Sequence, residues 1–209
     1  KSLKRLQTDY VDIYFCHRPD LDTPILETCR AMNDLINMGK VMYWGTSEWE
    51  GYQILEAYDI CKEHGWHLPK TEQPQYSMVH RERVEKTILP VTRSRGIGLA
   101  VFSPLGQGML TGKYDDGIPA DSRFNREEWA KNRFVTDANI RKVKALKPIA
   151  DELGITRGQL ALAWCLRESG VSTVITGATR AEQVLENVKA SEIKLTEDVI
   201  THIEGILNS

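Results

Sequence analysis

Short apolar runs alternate with longer amphipathic segments along the chain, and this alternation limits the folds that the sequence can adopt. The short runs predict β-strands, and the longer segments, with apolar residues three and four positions apart, predict α-helices. Such repetition is typical of parallel sheets covered by helices. Two α/β architectures fit at this point, an open doubly wound sheet and a (β/α)8 barrel. The predicted strands are 10–16, 41–45, 70–73, 97–102 and 171–176.

Several predicted helices have recognisable ends. Thr23 precedes Pro24, which predicts an N-cap followed by proline in the first helical turn. Thr156 and Thr196 precede helical apolar periods and are also expected to be N-caps. Gly39 follows the last turn of its helix, as a C-terminal glycine commonly does. The helices are predicted at about 23–38, 50–64, 80–94, 137–153, 156–168, 179–190 and 196–207.

The composition excludes several classes of protein. The 209 residues carry a net charge of −2, so no basic surplus favours binding to nucleic acid or to an anionic membrane. No apolar run approaches the roughly 20 residues needed to cross a bilayer, so we expect no direct membrane insertion. The 4 cysteines form no C-x-x-C pair, which predicts a reduced, cytoplasmic protein without a metal site. The length suits a single domain over residues 1–209.

The glycine-rich segments do not match the common nucleotide-binding motifs. The segments GIGLAVF and GQGMLTG both lack the G-x-G-x-x-G spacing, and GQGMLTGKY lacks the P-loop pattern. The open doubly wound sheet is therefore less favoured, because the nucleotide-binding motif that usually accompanies it is missing. In a barrel, the residues that carry chemistry follow the carboxyl ends of the strands. Here those positions are mostly polar: His17, Arg18, Thr46, Ser47, Glu48, Gln73, Phe102, Ser103 and Gly177.

Six segments in order along the chain carry a resemblance to a known family: RLQTDYVDIYFCHRPD, YWGTSEW, EQPQYS, FSPLGQGMLTGKY, DSRF and ITGATRAEQVLEN. Together they resemble the aldo-keto reductases, in particular the branch of the voltage-gated potassium channel β subunits and their plant, fungal and microbial relatives. The resemblance implies a (β/α)8 TIM barrel that uses NADP(H) to reduce aldehydes or ketones. This chain would supply about strands 4–8 of that barrel and their helices.

The resemblance assigns one catalytic residue to this chain. The family uses an aspartate, a tyrosine, a lysine and a histidine, and only the histidine maps here, as His17. The other three would precede Lys1, so we expect an N-terminally truncated chain that is inactive by itself. Mammalian channel subunits carry asparagine at the position of His17, so the histidine favours a reductase. Cys16 points to the opposite face of its strand, which argues against a Cys–His nucleophilic pair.

The resemblance also assigns the cofactor contacts. Ser47 and Gln73 match the groups that bind the nicotinamide carboxamide, and Phe102 matches the aromatic residue that stacks on the nicotinamide ring. Many family members hold the 2′-phosphate with lysine and arginine where this chain has Gly177 and Gln183, so the preference for NADP follows from the family, with Arg180 as a local contributor. The remaining matches, for the pyrophosphate and the adenosine, are Ser103, Leu105, Gly106, Gly108, Thr111, Lys113, Arg123, Gly177, Thr179, Gln183, Glu186 and Asn187.

Three further residues, Glu48, Arg18 and Trp49, stand beside this predicted site in the sequence, and two of them have two interpretations each. Glu48 stands where many reductases have asparagine and the mammalian channel subunits have arginine, so a cofactor contact is not expected from it by analogy. Arg18 either faces a substrate or pairs with Asp20 or Asp22, and we expect the ion pair. Trp49 either overhangs the cofactor or packs in the interior.

Three functions are compatible with the sequence. The first is an NADP(H)-dependent reductase acting on a small carbonyl substrate. The second is a regulatory subunit that binds NADP(H) and associates with a potassium channel. The third is a partial barrel that has no catalytic activity. Self-association into homo-oligomers is compatible with the first two.

Overall fold

The computed structural model describes residues 1–209, and its contacts separate the chain into two compact units. Unit 1 comprises Lys1–Pro74 and Glu82–Ala100, and unit 2 comprises Gln75–Arg81 and Val101–Ser209. Five strands form one sheet in sequence order, as the α/β prediction requires. They are β1 (Val11–Cys16), β2 (Val41–Ser47), β3 (Thr71–Gln73), β4 (Gly98–Phe102) and β5 (Val171–Ile175). Each lies within two residues of its predicted bounds.

Unit 1 packs helices on parallel strands. Its helices are α1 (Ser2–Leu6), α2 (Ile25–Asn37), α3 (Gly51–Glu63) and α4 (Leu89–Arg95), the last preceded by a π-helical turn at Val84–Ile88. The strands are parallel, with β1 beside β2, β2 beside β3, and β3 beside β4. Gly45 allows β2 to approach β3 closely, because a Cβ at this position would collide with the carbonyl oxygen of Thr71. The core includes the buried side chains of Trp44, Ile54 and Leu99.

Unit 2 is mostly helical. A 3-10 helix at Gly106–Thr111 follows β4, and another lies at Lys189–Glu192. Its core contains the aromatic pairs Tyr114–Phe124 and Tyr76–Trp164, with ring centroids 4.4 and 5.3 Å apart. The α-helices are α5 (Arg123–Arg126), α6 (Glu128–Phe134), α7 (Asp137–Ala145), α8 (Lys147–Glu152), α9 (Arg157–Leu166), α10 (Ala181–Val188) and α11 (Glu197–Leu207).

Trp164 organises the charged residues around it in unit 2. The guanidinium groups of Arg167 and Arg81 lie 3.8 and 5.4 Å from its ring centroid. Its indole N–H donates to Glu204, which also forms ion pairs with Arg81 at 2.6 Å and Arg167 at 3.1 Å. Burial acts to raise the pKa of Glu204, but the hydrogen bonds and charges of the two arginines lower that pKa overall. Glu204 therefore stays ionised and joins α9 to α11.

The helix ends differ from prediction at identifiable residues. Thr156 and Thr196 are N-caps, since their hydroxyl groups accept from the backbone N–H groups three residues later. The prediction for Thr23 was wrong: Pro24 is the N-cap residue of α2, and the Thr23 hydroxyl donates to Asp20 instead. The helix expected over 137–153 is interrupted at Leu146, where Pro148 has no N–H to continue the hydrogen-bond ladder.

Candidate active site

Three predicted site residues follow or end adjacent strands of unit 1. In the parallel register, Thr46 of β2 is paired with Cys16 of β1 and with Glu72 of β3. The next residues along the three chains are His17, Ser47 and Gln73. They therefore occupy the same level at the carboxyl edge of the sheet. The hydroxyl group of Ser47 donates to the backbone carbonyl of Gln73 at 2.9 Å, which links two of the three directly.

The side chains at this edge differ in what they can offer a ligand. Ser47 is only 1% exposed, and its hydroxyl proton is used by the Gln73 carbonyl, so its oxygen can act as an acceptor. The Gln73 side-chain amide is half-buried and makes no hydrogen bond within the chain, so its donors and acceptor are available. The His17 side chain is exposed.

Arg18 belongs to this edge of the sheet. Its guanidinium group donates to the backbone carbonyl of His17 and, at 3.4 Å, to the Ser47 hydroxyl oxygen. The ion pair expected with Asp20 or Asp22 is not formed, because Asp20 accepts from the Thr23 hydroxyl and from the backbone N–H of Asp22. Arg18 thus lies beside two predicted site residues.

The level beneath this edge contains a buried carboxyl group. Glu72 is 0% exposed, and its Oε2 accepts from the Thr46 hydroxyl at 2.5 Å. Burial raises the pKa of Glu72 to about 7, against the opposing effects of the Thr46 hydrogen bond, the backbone N–H groups of Trp49 and Glu48, and the charge of Arg83. Oε1 has no partner within normal hydrogen-bond geometry. Burial, followed by the charge of Glu72, also raises the pKa of the Cys16 thiol to about 12, which keeps the thiol protonated and disfavours a nucleophilic role.

The loop after β2 is fixed by an arginine that sequence reasoning missed. Arg83 pairs with Glu48 at 2.8 Å and with Glu50 at 3.4 Å, and it donates to the Trp49 backbone carbonyl at 3.3 Å. Glu48 adopts a left-handed backbone conformation with φ 59°. Trp49 is 2% exposed and therefore packs in the interior instead of overhanging a ligand. Arg83 lies 35 positions after Glu48 in the sequence, and no spacing rule predicts a contact between residues so far apart.

The loop after β4, in unit 2, contains several residues with positive φ. Gly106, Gly108 and Gly112 have φ values of 55°, 96° and 82°, and Ser103 and Gln107 have φ values of 54° and 59°. Side chains rarely adopt this conformation, and the Ser103–Gln107 hydrogen bond of 2.7 Å helps to hold it here. The loop begins after Phe102, the last residue of β4, and includes Leu105 and Gly106. Phe102 is half-buried, and its backbone carbonyl accepts from Tyr76 at 3.2 Å.

Lys113 folds back against this loop. A Cβ placed on Gly108 would lie 3.1 Å from the Nζ atom of Lys113, so glycine makes room for the lysine side chain. The Lys113 ammonium lies 5.0 Å from the Tyr114 ring centroid and forms no ion pair within the chain. Thr111, whose hydroxyl donates to the Gly108 carbonyl at 2.8 Å, completes the turn. The structure thus brings two predicted phosphate contacts, Gly108 and Thr111, together beside a third, the unpaired Lys113 cation.

The segment after Lys113 is attached to unit 2 through Arg157. The Arg157 guanidinium forms an ion pair with Asp115 at 2.8 Å and donates to the Val143 carbonyl at 3.1 Å. It also occupies the space into which a side chain at Gly112 would project. Arg123, another predicted phosphate contact, is exposed and paired with Glu127 at 3.1 Å, so its charge is already partly neutralised.

The predicted adenosine contacts lie along α10 and the turn before it. The Gln183 side-chain oxygen accepts from the Thr179 backbone N–H at 2.8 Å. Glu186 accepts from the Thr156 hydroxyl at 2.8 Å. These residues are bonded within the chain and would have to exchange partners to bind a ligand. Gly177 and Arg180 are exposed, and Asn187 is half-buried.

Comparison with known proteins decides the family. The sequence profile described as "Aldo/keto reductase family" matches residues 1–208. The chain belongs to the aldo/keto reductase family. It is 52% identical, over its whole length, to a probable voltage-gated potassium channel subunit beta of Arabidopsis thaliana and 49% identical to a protein of the same description from Oryza sativa subsp. japonica. It spans 65% of the length of each of these relatives.

Family membership confirms the resemblance that the six sequence segments indicated. The aldo/keto reductases are oxidoreductases, and the five-stranded parallel sheet is consistent with part of the family's barrel. None of the helices combines the length and the apolar character that spanning a bilayer requires.

Proposed function

We propose that the protein carrying this chain is an NADP(H)-dependent aldo-keto reductase that transfers hydride between the nicotinamide ring and an aldehyde or ketone carbonyl. The observation that carries the proposal is the common level of His17, Ser47 and Gln73 at the carboxyl edge of adjacent parallel strands. This edge is where barrel enzymes assemble their active sites. The proposal includes a single reductase domain over residues 1–209, because one family profile spans 1–208.

The residues of unit 1 have separate tasks in this proposal. The exposed His17 imidazole orients the substrate carbonyl by hydrogen bonding. Gln73 presents a donor and an acceptor to the nicotinamide carboxamide, and Ser47 accepts from its N–H. When bound, NADPH supplies the hydride. The catalytic aspartate, tyrosine and lysine are attributed to the whole protein by analogy with the family, in which this chain would supply about strands 4–8 of the barrel.

The loop after β4 fits a dinucleotide phosphate group. Gly108 has no side chain, and the unpaired Lys113 ammonium lies in the space that one would occupy. A cation that has no internal partner is available to a phosphate, and small residues allow backbone N–H groups to approach it. Phe102 would stack on the nicotinamide ring, with Ser103, Leu105, Gly106, Thr111 and Arg123 as further contacts.

The adenosine end fits less directly. Thr179, Gln183 and Glu186 already take part in side-chain hydrogen bonds, whereas no side-chain hydrogen bond involves Gly177, Arg180 or Asn187. NADP(H) is proposed over NAD(H) on family grounds, with the exposed Arg180 as the local cation for a 2′-phosphate. The substrate is proposed to be a small carbonyl compound, and the location cytoplasmic.

The test measures cofactor binding and turnover separately in the whole protein. We expect NADPH to bind and to be oxidised in the presence of a reactive aromatic aldehyde such as 4-nitrobenzaldehyde. His17→Asn should lose turnover while retaining NADPH affinity, and Lys113→Ala should weaken NADPH binding. His64→Gln and Lys147→Gln are matched controls, because both side chains are exposed and lie outside the proposed contacts. Absence of NADPH binding by the wild-type protein would refute the proposal.

A second function is favoured by the names of the two relatives. Both are described as probable voltage-gated potassium channel β subunits, and this chain is about half identical to them. We therefore also propose association with a potassium channel, in a homo-oligomeric form. Co-expression of the whole protein with a voltage-gated potassium channel should give a complex that survives size-exclusion chromatography in mild detergent. Separate elution of the two proteins at micromolar concentration would contradict it.

A further inference from the structure

We propose that Glu72 is a positioning residue whose buried carboxyl group fixes the end of β2 and the loop behind it, so that Ser47 and Gln73 are correctly presented to the nicotinamide carboxamide. The proposal deepens the function proposed above and rests on it.

Two successive levels of the sheet connect Glu72 to the proposed cofactor contacts. Thr46 and Glu72 are register partners joined by a hydrogen bond of 2.5 Å between their side chains. One residue further along, Ser47 and Gln73 are also partners, joined by the 2.9 Å bond from the Ser47 hydroxyl to the Gln73 carbonyl. Successive side chains of a strand point to opposite faces, so the buried pair and the proposed cofactor pair share a backbone but not a face. Moving the first pair must move the second.

A buried carboxyl group requires a reason for its presence. Glu72 is completely buried, and burial raises its pKa well above that of an exposed glutamate. An apolar residue of similar volume would avoid this cost and could be more stabilising. What a carboxyl group adds at this position is strong hydrogen-bond acceptance directed at Thr46 and at the following loop.

Two side chains hold the loop, Glu72 and Arg83. The backbone N–H groups of Trp49 and Glu48 approach the carboxyl group of Glu72 and favour its charged form. Arg83 in turn binds the Glu48 carboxylate and the Trp49 carbonyl. Between these attachments the backbone adopts the left-handed conformation at Glu48. The loop that follows Ser47 is therefore set jointly by Glu72 and Arg83.

The protonation state of Glu72 should affect this arrangement. The charged and titratable groups that face it are Arg83, which favours the carboxylate, Cys16, which stays neutral, and Glu48, which is paired with Arg83. The carboxylate attracts the Thr46 hydroxyl and the two loop N–H groups more strongly than the neutral acid does. The loop thus tightens as the pH rises through about 7, and NADPH affinity should rise over the same range.

The experiment compares NADPH dissociation constants of the whole protein at pH 6 and pH 8. Glu72→Gln should raise the Kd about tenfold at pH 8, the effect expected for losing hydrogen bonds to a charged acceptor, and should flatten the pH dependence. The ratio of variant to wild type removes the titration of the cofactor's own phosphate. Thr46→Val should weaken binding, Thr46→Ser should restore it, and Glu82→Gln, at an exposed ion pair, should not change it.

Each outcome decides the question. A Glu72→Gln protein that folds and binds NADPH as tightly as wild type at both pH values overturns the proposal. The proposal is also overturned if the variant binds less NADPH only because a smaller fraction of it is folded, while the Kd of the folded fraction is unchanged. If Glu72→Gln does not fold, Thr46→Val against Thr46→Ser makes the same comparison.

A failure of the proposed function is distinguishable from a failure of this inference. If the wild-type protein binds no NADPH, the function fails, and hydrogen exchange then tests the positioning alone. Backbone amides of residues 46–49 should exchange at least tenfold faster in Glu72→Gln, whereas those of 157–166 in α9 should not change. Equal exchange in residues 46–49 overturns the proposal.

Discussion

The Lys113 ammonium lies against Gly108, 3.1 Å from the point that a β-carbon on that glycine would occupy. The two residues therefore share one small space beside the loop after β4. The cation that we propose for the cofactor phosphate depends on the absence of a side chain five residues earlier.

Gly108→Ala should weaken NADPH binding by displacing Lys113. The substitution also places an alanine at φ 96°, which costs on the order of 1–3 kcal/mol of backbone strain. Gly117→Ala is the matched control, since φ there is 127° and no atom lies within 4 Å of the added carbon. We expect isothermal titration to show a higher Kd for Gly108→Ala alone. Similar affinities in the two variants would mean that Lys113 is not held by this contact.

Arg157→Gln should destabilise unit 2, because it breaks the ion pair with Asp115 in a site where both side chains are less than one-fifth exposed. The expected loss in the free energy of unfolding is about 1–3 kcal/mol, since the partner carboxylate remains partly buried. Urea denaturation followed by circular dichroism would measure it. Lys147→Gln, which breaks an exposed ion pair with Asp151, is the control and should leave the urea midpoint unchanged.

The stability of the protein should depend on pH through Glu72. The pKa of its carboxyl group is about 7 in the folded state, against 4.5 for an ordinary glutamate. Between these values the unfolded chain loses a proton that the folded chain keeps. The contribution of Glu72 to the free energy of unfolding is therefore fully present below about pH 4.5 and falls until about pH 7.

The Glu72→Gln variant isolates this contribution. The contribution of Glu72 to the free energy of unfolding changes by about 1.4 kcal/mol for each pH unit between its unfolded and folded pKa values, which gives a total of order 3 kcal/mol. Glu72→Gln should therefore gain stability relative to wild type by up to this amount between pH 4.5 and 7. Denaturation curves of both proteins at pH 5 and 7.5 give the difference, in which other carboxylates cancel. A constant difference would show that the Glu72 pKa is not raised on folding.

Arg83→Met should raise the pKa of Glu72 further, because the positive charge of Arg83 favours the carboxylate. The carboxyl carbon of Glu72, followed by NMR with ¹³C-labelled glutamate, should titrate at a higher pH in this variant. Arg93→Met serves as a comparison that removes an arginine from α4 of the same unit. An unshifted Glu72 titration in Arg83→Met would place the two groups outside electrostatic contact.

The sheet was predictable because buried parallel strands are short continuous apolar runs bounded by turns. The prediction for β2 stopped at Gly45, whereas the strand continues to Ser47, because its polar end is stabilised by Thr46–Glu72 and Ser47–Gln73 contacts that no local pattern reveals. The helix expected from residue 80 contains a π-helical turn over Val84–Ile88. Pro90 accounts for it, since its ring displaces the carbonyl four residues earlier.

The short helix α6 and the long-range contact of Arg83 with Glu48 were not predicted from the sequence. Helix α6 buries only Ala130 and Phe134, which is one apolar contact per turn and too little to stand out in a mixed-charge run. The common level of His17, Ser47 and Gln73 at the sheet edge could be predicted because each stands at or just after the end of a predicted strand. Arg83 could not, since its contact with Glu48 exists only once helix and sheet have packed together.

The Glu204 carboxylate has a consequence for the order in which unit 2 is completed during synthesis. Its partners Arg81, Trp164 and Arg167 are all translated before it, the nearest of them by 37 residues. Without α11, two guanidinium groups placed beside the same indole ring would lack the anion that they share, and like charges repel. Unit 2 therefore reaches its native packing only after residue 204 has been translated, so a pause upstream of α11 would prolong exposure of this region to chaperones and proteases.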